Sequence, residues 1–267
     1  MVKAIVSGAA GRMGGRIIHM MEGADGIVLA GALERSDHPA VGKDVGEVVG
    51  LPPKGIKVSG SLAEVLPEGE VLIEFTHPET TLEHLQEVAG AGKAMVIGTT
   101  GLSAAQVAEL KNLAAKTRVV FAPNMSVGVN LMFKVVENIA RVLQEGYDVE
   151  IVEAHHRLKK DAPSGTALKL AQVMAQGLGR DLEQVGVYAR QGLIGERTKE
   201  EIGIQTVRAG DIVGEHTVIF GGIGERLEII HRAHSRDNFA RGAVRAALWI
   251  VGQPNGLYDM QDVLGLK

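Results

Sequence analysis

The chain has 267 residues, 45% of them hydrophobic and only 3% aromatic, with a formal charge of -4 and a pI near 6.2. That length can bury a sizeable, mainly aliphatic core and hold two modest domains, while the mild negative charge supplies no general attraction to nucleic acid or to an anionic membrane. With no cysteine, a disulfide framework, a cysteine nucleophile and a thiolate metal site are excluded, which suits a reducing compartment and makes the cytoplasm the default.

Lys3 to Ser7 reads as a short apolar strand, followed by Gly8-Ala9-Ala10-Gly11-Arg12-Met13-Gly14 and then a helical pattern through Ile17, Ile18 and Met21. The N-terminus thus enters a glycine loop without a signal-peptide pattern, and no apolar run approaches the roughly eighteen residues of a membrane span. A strand, a glycine turn and a helix start let backbone approach a pyrophosphate, because side chains at the close positions would obstruct it. The spacing of Gly8, Gly11 and Gly14 departs from the commoner dinucleotide fingerprint. Arg12 is either a phosphate partner or a solvated cation.

The second strand, Ile27 to Leu33, ends in Glu34-Arg35, about twenty residues after the last glycine, where a dinucleotide fold places its ribose-reading acid. A carboxylate accepts hydrogen bonds from the adenine ribose and repels a 2′-phosphate, whereas a guanidinium binds that phosphate. Glu34 beside Arg35 therefore points to use of both NADH and NADPH; the plainer alternative is an exposed charge pair after a strand. Asp37 to Lys57 reads as a long loop with a short strand around Ile56 to Ser59.

Val71 to Phe75 and Ala94 to Ile97 read as buried strands, and Thr80 to Ala89 and Ser103 to Ala115 as helices. This alternation predicts a parallel sheet covered on both faces. Gly98-Thr99-Thr100-Gly101 ends one strand, and Val119 to Ala122 runs into Pro123-Asn124-Met125-Ser126, with Ser126 a fair cap for a long helix over Val127 to Leu143. The domain crossing falls at the start of that helix.

Val149 to Ala154 alternates apolar and acidic residues as a half-buried strand does, and it delivers His155 and His156 at its end. After Arg157, Lys159 and Lys160 comes Pro163-Ser164-Gly165-Thr166, which opens a helix through Leu168, Leu170, Ala171 and Met174. N–H groups without intrahelical partners in that first turn, helped by the helix dipole, suit a carboxylate. A strand, a polar loop and a helix capped by Ser164 would account for each residue singly; the convergence of imidazoles and cations on a helix start favours a site.

Beyond it, Gly186 to Arg190, Ile202 to Arg208, His216 to Phe220 and Leu227 to Arg232 read as strands without intervening helices, which predicts an α+β half with a mixed or antiparallel sheet. His231 and His234 would face opposite ways in a strand and lack a third ligand, so no metal is expected. A last helical pattern runs from Phe239 to Ile250. The fold class is α/β: a Rossmann-type parallel-sheet dinucleotide domain plus a second α+β domain with a mixed sheet.

Glu150, Ile151, Glu153, His155, Lys159, Asp161, Pro163, Ser164, Gly165, Thr166 and Ala167 stand at the spacing of the signature of bacterial dihydrodipicolinate reductases, also called 4-hydroxy-tetrahydrodipicolinate reductases, and the chain resembles that family with no departure within the motif. The resemblance implies an NAD(P)H-dependent oxidoreductase of lysine and diaminopimelate biosynthesis acting on a small cyclic dicarboxylate. It implies His155 as proton donor assisted by Lys159, and substrate contacts from His156, Lys159, Ser164, Gly165 and Thr166. Cofactor contacts would come from Gly8, Ala9, Ala10, Gly11, Arg12, Met13, Glu34, Arg35, Gly98, Thr99, Thr100, Ala122, Pro123, Asn124 and Met125. By the same resemblance the last helix packs back on the dinucleotide domain, so residues 1–126 and 236–267 form one domain and 127–235 a substrate and oligomerisation domain, assembled as a homotetramer. Two other readings are another imine or amino-acid dehydrogenase, such as an aspartate dehydrogenase, and a dinucleotide-binding regulator without turnover.

Overall fold

The computed structural model describes all 267 residues, apart from the side chain of Glu145. The chain divides into two compact units, one made of Met1–Val127 with Arg236–Lys267 and the other of Gly128–Ser235. The first leg of the first unit runs β1 (Val2–Ser7), α1 (Arg12–Glu22), β2 (Ile27–Leu33), α2 (Val45–Val49), β3 (Val58–Ser59), α3 (Leu62–Val65), β4 (Val71–Glu74), α4 (Pro78–Gly90), β5 (Ala94–Ile97), α5 (Ala104–Ala114) and β6 (Arg118–Phe121). Local chemistry explains several boundaries. Pro78 occupies the first turn of α4, where its missing N–H costs nothing, and Ser103 with Gln106 closes a reciprocal capping box on α5.

The Asp37 to Lys57 stretch, expected as loop, contains α2. Asp44 is the reason: its carboxylate accepts from the backbone N–H groups of Gly46, Lys54 and Gly55 at 2.8, 2.9 and 2.7 Å, which caps the helix and closes the loop behind it.

The second unit comprises α6 (Val127–Leu143, its first residue belonging to the first unit), β7 (Asp148–His155), α7 (Gly165–Leu178), α8 (Leu182–Val185), β8 (Gly186–Val187), β9 (Ile202–Arg208), β10 (Gly214–Gly221) and β11 (Arg226–Ala233). Its sheet has the order β11-β10-β7-β9-β8 and is mixed: β10 is antiparallel to β7 and β11, whereas β7 and β8 run parallel to β9. One face buries Val149, Ile151, Ile202, Ile204, Val218 and Phe220 against Val129, Met132 and Val136 of α6 and Leu170, Ala171 and Met174 of α7. Each of the Val, Leu, Ile, Met and Phe side chains among them contributes about 1.5–3 kcal/mol when fully buried. The strand expected over Gly186 to Arg190 stops at Val187 because Arg190 instead grips the Glu150 carboxylate with both terminal nitrogens, at 2.9 and 2.7 Å. The other face of the sheet presents Val207 and Ile230, 43% and 44% exposed.

The chain then returns to the first unit as α9 (Asp237–Ile250), β12 (Gly256–Tyr258) and α10 (Met260–Leu264). The completed sheet is parallel throughout, in the order β12-β6-β5-β4-β1-β2-β3. Its two faces follow the strand period. Ala4, Val6, Ile73 and Val96 pack with Ile17 and Ile18 of α1 and Ala243 and Ala247 of α9, while Ile5, Leu72 and Met95 pack with Leu85 of α4 and Leu110 of α5. Strand order reverses between β1 and β4, and in sheets of this kind ligands bind outside the carboxyl ends of the strands at that switch point. Among the described residues no helix is long and apolar enough to cross a membrane.

Candidate functional site

In the first unit the segments singled out in the sequence all lie at the carboxyl edge of the parallel sheet: Gly8 to Met13 after β1, Glu34 and Arg35 after β2, Gly98 to Thr100 after β5, and Ala122 to Met125 after β6. Gly8 adopts φ +66, a conformation that disfavours side chains, and a Cβ at Gly14 would collide with the Gly8 carbonyl oxygen. The loop can therefore fold tightly over the start of α1, with Gly11 N–H donating to Gly8 O at 2.9 Å. Glu34 Oε1 accepts from the Ala10 N–H at 2.9 Å, which ties the end of β2 to this loop. Arg35 and Asp37 side chains are each 74% exposed, with Arg35 Nε 3.6 Å from Asp37 Oδ1, so the guanidinium stays accessible to an anion.

A Cβ at Gly98 would enter the Phe75 ring, so backbone rather than side chain lines the edge there. Thr99 is buried and Thr100 exposed. Thr99 Oγ1 accepts from the Thr76 N–H at 3.2 Å and from the Thr81 hydroxyl at 2.8 Å. Asn124 Oδ1 accepts from the Ser126 N–H at 2.9 Å, and Gly242 of α9 packs so closely on the Met125 carbonyl that no larger residue fits. These tight turns and close glycine approaches set backbone at the carboxyl edge of the sheet, where a dinucleotide could lie.

In the second unit, β7 carries Val149, Ile151, Glu153 and His155 on its helix-facing side. The first two join the core; the third is a carboxylate with 0% exposure. Glu153 accepts from Arg208 at 2.9 and 2.8 Å, from His155 Nδ1 at 2.6 Å, from the Ser164 N–H at 3.0 Å and from the Thr206 hydroxyl at 3.2 Å. Burial alone would raise its pKa, but the bonds from Arg208, His155 and Ser164 outweigh it and hold the carboxyl down to about 2. It is a permanent anion at neutral pH.

His155 is thereby fixed. With Nδ1–H engaged by Glu153, its Nε2 is directed towards Gly214, where a Cβ would stand 3.1 Å away. Burial depresses the His155 pKa, and the neighbouring Glu153 carboxylate offsets part of that. His216 of β10 packs edge-on against His155, with ring centroids 5.3 Å apart at 75°. His216 Nε2 shares a hydrogen bond with Ser164 Oγ at 3.1 Å, and burial, reinforced by repulsion from His155, pushes its pKa down to about 3.

Ser164 caps α7 by accepting from Ala167 N–H at 3.2 Å. A Cβ at Gly165 meets no protein atom within 4 Å, so packing does not demand the glycine, and the approach to the helix start is open. Lys159 Nζ lies 2.9 Å from Asp161 Oδ1, and the loop carrying both is anchored where Arg208 donates to the Asp161 carbonyl at 2.6 Å. The half-buried His156 precedes this loop, whose Lys159 N–H donates to the His156 carbonyl at 3.1 Å. His155, His156, Lys159, Ser164, Gly165 and Thr166 therefore belong to one strand end and helix start. The arrangement can hold an anion near the helix N-terminus and move a proton at one imidazole nitrogen. Among the described residues no group of three His, Cys, Asp or Glu side chains is arranged to hold a metal ion.

Sequence reasoning gave no role to Glu153, Arg208, His216 or Thr206. The available signal was a carboxylate at an inward-facing strand position, in phase with Val149 and Ile151, which requires a buried partner. Nothing local names Arg208 as that partner.

Two family models match the chain, "Dihydrodipicolinate reductase, N-terminus" over residues 2–125 and "Dihydrodipicolinate reductase, C-terminus" over residues 128–264. The 4-hydroxy-tetrahydrodipicolinate reductases of Syntrophobacter fumaroxidans and Syntrophus aciditrophicus are 61% and 58% identical over 267 residues, with 100% of each chain covered. Among solved structures, the dipicolinate-bound dihydrodipicolinate reductase from Paenisporosarcina sp. TG-14 superposes with a TM-score of 0.75 at 27% identity, covering 98% of both chains. The amine dehydrogenase from Mycobacterium smegmatis, with a TM-score of 0.58 at 16% identity over 96% of this chain and 94% of that one, shares the fold alone. With both halves matched and the full length aligned, the chain belongs to the dihydrodipicolinate reductase family.

Proposed function

We propose that the chain reduces 4-hydroxy-tetrahydrodipicolinate to tetrahydrodipicolinate with NADH or NADPH, in the cytoplasm, as a step of lysine and diaminopimelate biosynthesis. The observation that carries this reading is the His155–Glu153 pair beside Lys159 and the N-terminus of α7, in a chain related along its full length to reductases of that name.

The first unit would bind the dinucleotide through Gly8, Ala9, Ala10, Gly11, Arg12 and Met13, through Glu34 and Arg35 at the adenine ribose, and through Gly98, Thr99, Thr100 and Ala122 to Met125. When bound, the cofactor supplies a hydride. In the second unit the N–H groups of Gly165 and Thr166, the Thr166 hydroxyl, Lys159 and His156 hold substrate carboxylate. Ser164 fixes the start of α7 and couples it to His216.

The substrate ring loses its hydroxyl as water, accepts one hydride, and takes one proton from His155 Nε2, with Lys159 assisting. Glu153 keeps Nδ1 protonated, so the working proton is confined to Nε2. The tool that tests the reading is loss of NAD(P)H absorbance with this substrate. Turnover of aspartate or another amino acid instead, or binding without turnover, would overturn it.

We propose in addition a homotetramer assembled through the sheet of the second unit, whose face presents Val207 and Ile230. Sedimentation at micromolar concentration checks this, and a monomer would contradict it.

A further inference from the structure

The first unit contains a second buried carboxylate, far from His155 in sequence and with no part in the chemistry above. Glu74, the last residue of β4, has 0% exposure. Its Oε2 accepts from His84 Nδ1 of α4 at 2.6 Å, and its Oε1 accepts from the Thr76 hydroxyl. A carboxylate removed from water is costly unless fully bonded, so this one holds its partners firmly in place.

Thr76 is the member that reaches outward. Its Cγ2 stands 3.1 Å from the position a Cβ would take at Gly8, and its N–H donates to Thr99 Oγ1 at 3.2 Å. Thr99 is also held by Thr81 of α4 at 2.8 Å, and Gly98 N–H donates to the Glu74 carbonyl at 2.9 Å. One residue thus meets the loops after β1 and β5 where β1 and β4 adjoin, at the reversal of strand order.

We infer that Glu74 and His84 are positioning residues for the dinucleotide: they lock Thr76 between the Gly8 loop and the Gly98-Thr99-Thr100 segment, so that both backbones are already spaced for the cofactor. This rests on the proposed function. Without the lock, Thr76 would rotate, the glycine loop would lose its lateral support, and part of the binding energy would go into reordering.

The experiment is calorimetric titration of the intact protein, without substrate, with NADPH and with NADH, alongside melting temperature. Thr76→Val keeps the methyl that faces Gly8 and removes the hydroxyl that binds Glu74; His84→Asn keeps an N–H donor in place of Nδ1. Thr76→Val, Glu74→Gln and His84→Phe should each raise Kd for both dinucleotides by about 10-fold or more, and His84→Asn should hold affinity within a few-fold of wild type. A purely structural role would lower the melting temperature and leave Kd of the folded protein unchanged; that result, or loss of affinity in His84→Asn equal to that in His84→Phe, would overturn the inference. A wild-type protein that binds neither dinucleotide would overturn the proposed function and this inference with it.

Discussion

His155 Nδ1 lies 2.6 Å from Glu153 Oε2, and the carboxylate that orients it is fully buried and bonded from four residues. The pair divides labour. Glu153 stays ionised and holds one ring nitrogen; the other, on a histidine whose pKa is depressed by burial, is the nitrogen from which the proposed reaction would take its proton.

Removing the imidazole separates a catalytic role from a packing role. His155→Ala is expected to lower kcat by about 10²- to 10⁴-fold, the range for losing a general acid, while NADPH affinity stays within a few-fold. Melting temperature, NADPH affinity and kcat measured on one preparation decide it, and a folded variant that keeps most of its kcat refutes the assignment.

Glu153→Ala deprives Arg208, Ser164 N–H and His155 of a common acceptor at once. Breaking a buried charge pair from one side costs about 3–5 kcal/mol, so the urea midpoint should fall markedly, with kcat of the remaining folded protein also reduced. An unchanged midpoint would mean that Arg208 finds compensation elsewhere.

Arg35 is exposed beside Asp37, so its guanidinium is accessible to a 2′-phosphate. Arg35→Ala should weaken NADPH by about 10- to 150-fold, as for the loss of a charge-assisted bond, and leave NADH nearly unchanged. Equal loss for both cofactors in a binding titration argues against this residue as the phosphate reader.

Acid sensitivity has a defined sign. In the folded protein His216 stays neutral until about pH 3, whereas the unfolded chain protonates it near 6.5. Between those values the unfolded state binds the extra proton, so stability declines as pH falls; His155 and Glu153, whose pKa values are also depressed, act in the same direction. His216→Gln should remove one proton from this dependence, flattening it by about 1.4 kcal/mol per pH unit within the window. Urea unfolding at several pH values from 6 to 4 reads the slope, and an unaltered slope would show that His216 is not its source.

Much of the molecule was legible in the sequence because it depends on local rules. The apolar strands of the first half, the glycine spacing that permits a tight turn after β1, and the Ser164 cap before α7 each follow from sterics or backbone hydrogen bonding within a few residues. Short elements were not legible: α2, β12 and α10 span too few residues to show a period, and α2 depends on Asp44 reaching across the loop to Lys54 and Gly55.

The two buried polar networks belong to tertiary structure. Strand register alone sets Glu153 opposite Thr206 on β9 and His216 on β10, and His155 opposite Arg208. That register is held by burying Val149, Ile151, Ile204 and Phe220 together, since a one-residue slip would turn those side chains to the wrong face. The sequence placed His155 at the end of a strand beside a helix start; the pairing of β7 with β9 and β10 decided which charges surround it. In the same way Glu74 and His84 are ordinary strand and helix residues in the sequence, and only the packing of α4 on the sheet brings His84 onto Glu74 and Thr81 onto Thr99. Contacts between residues distant in sequence arise from core burial across strands, which no local pattern specifies.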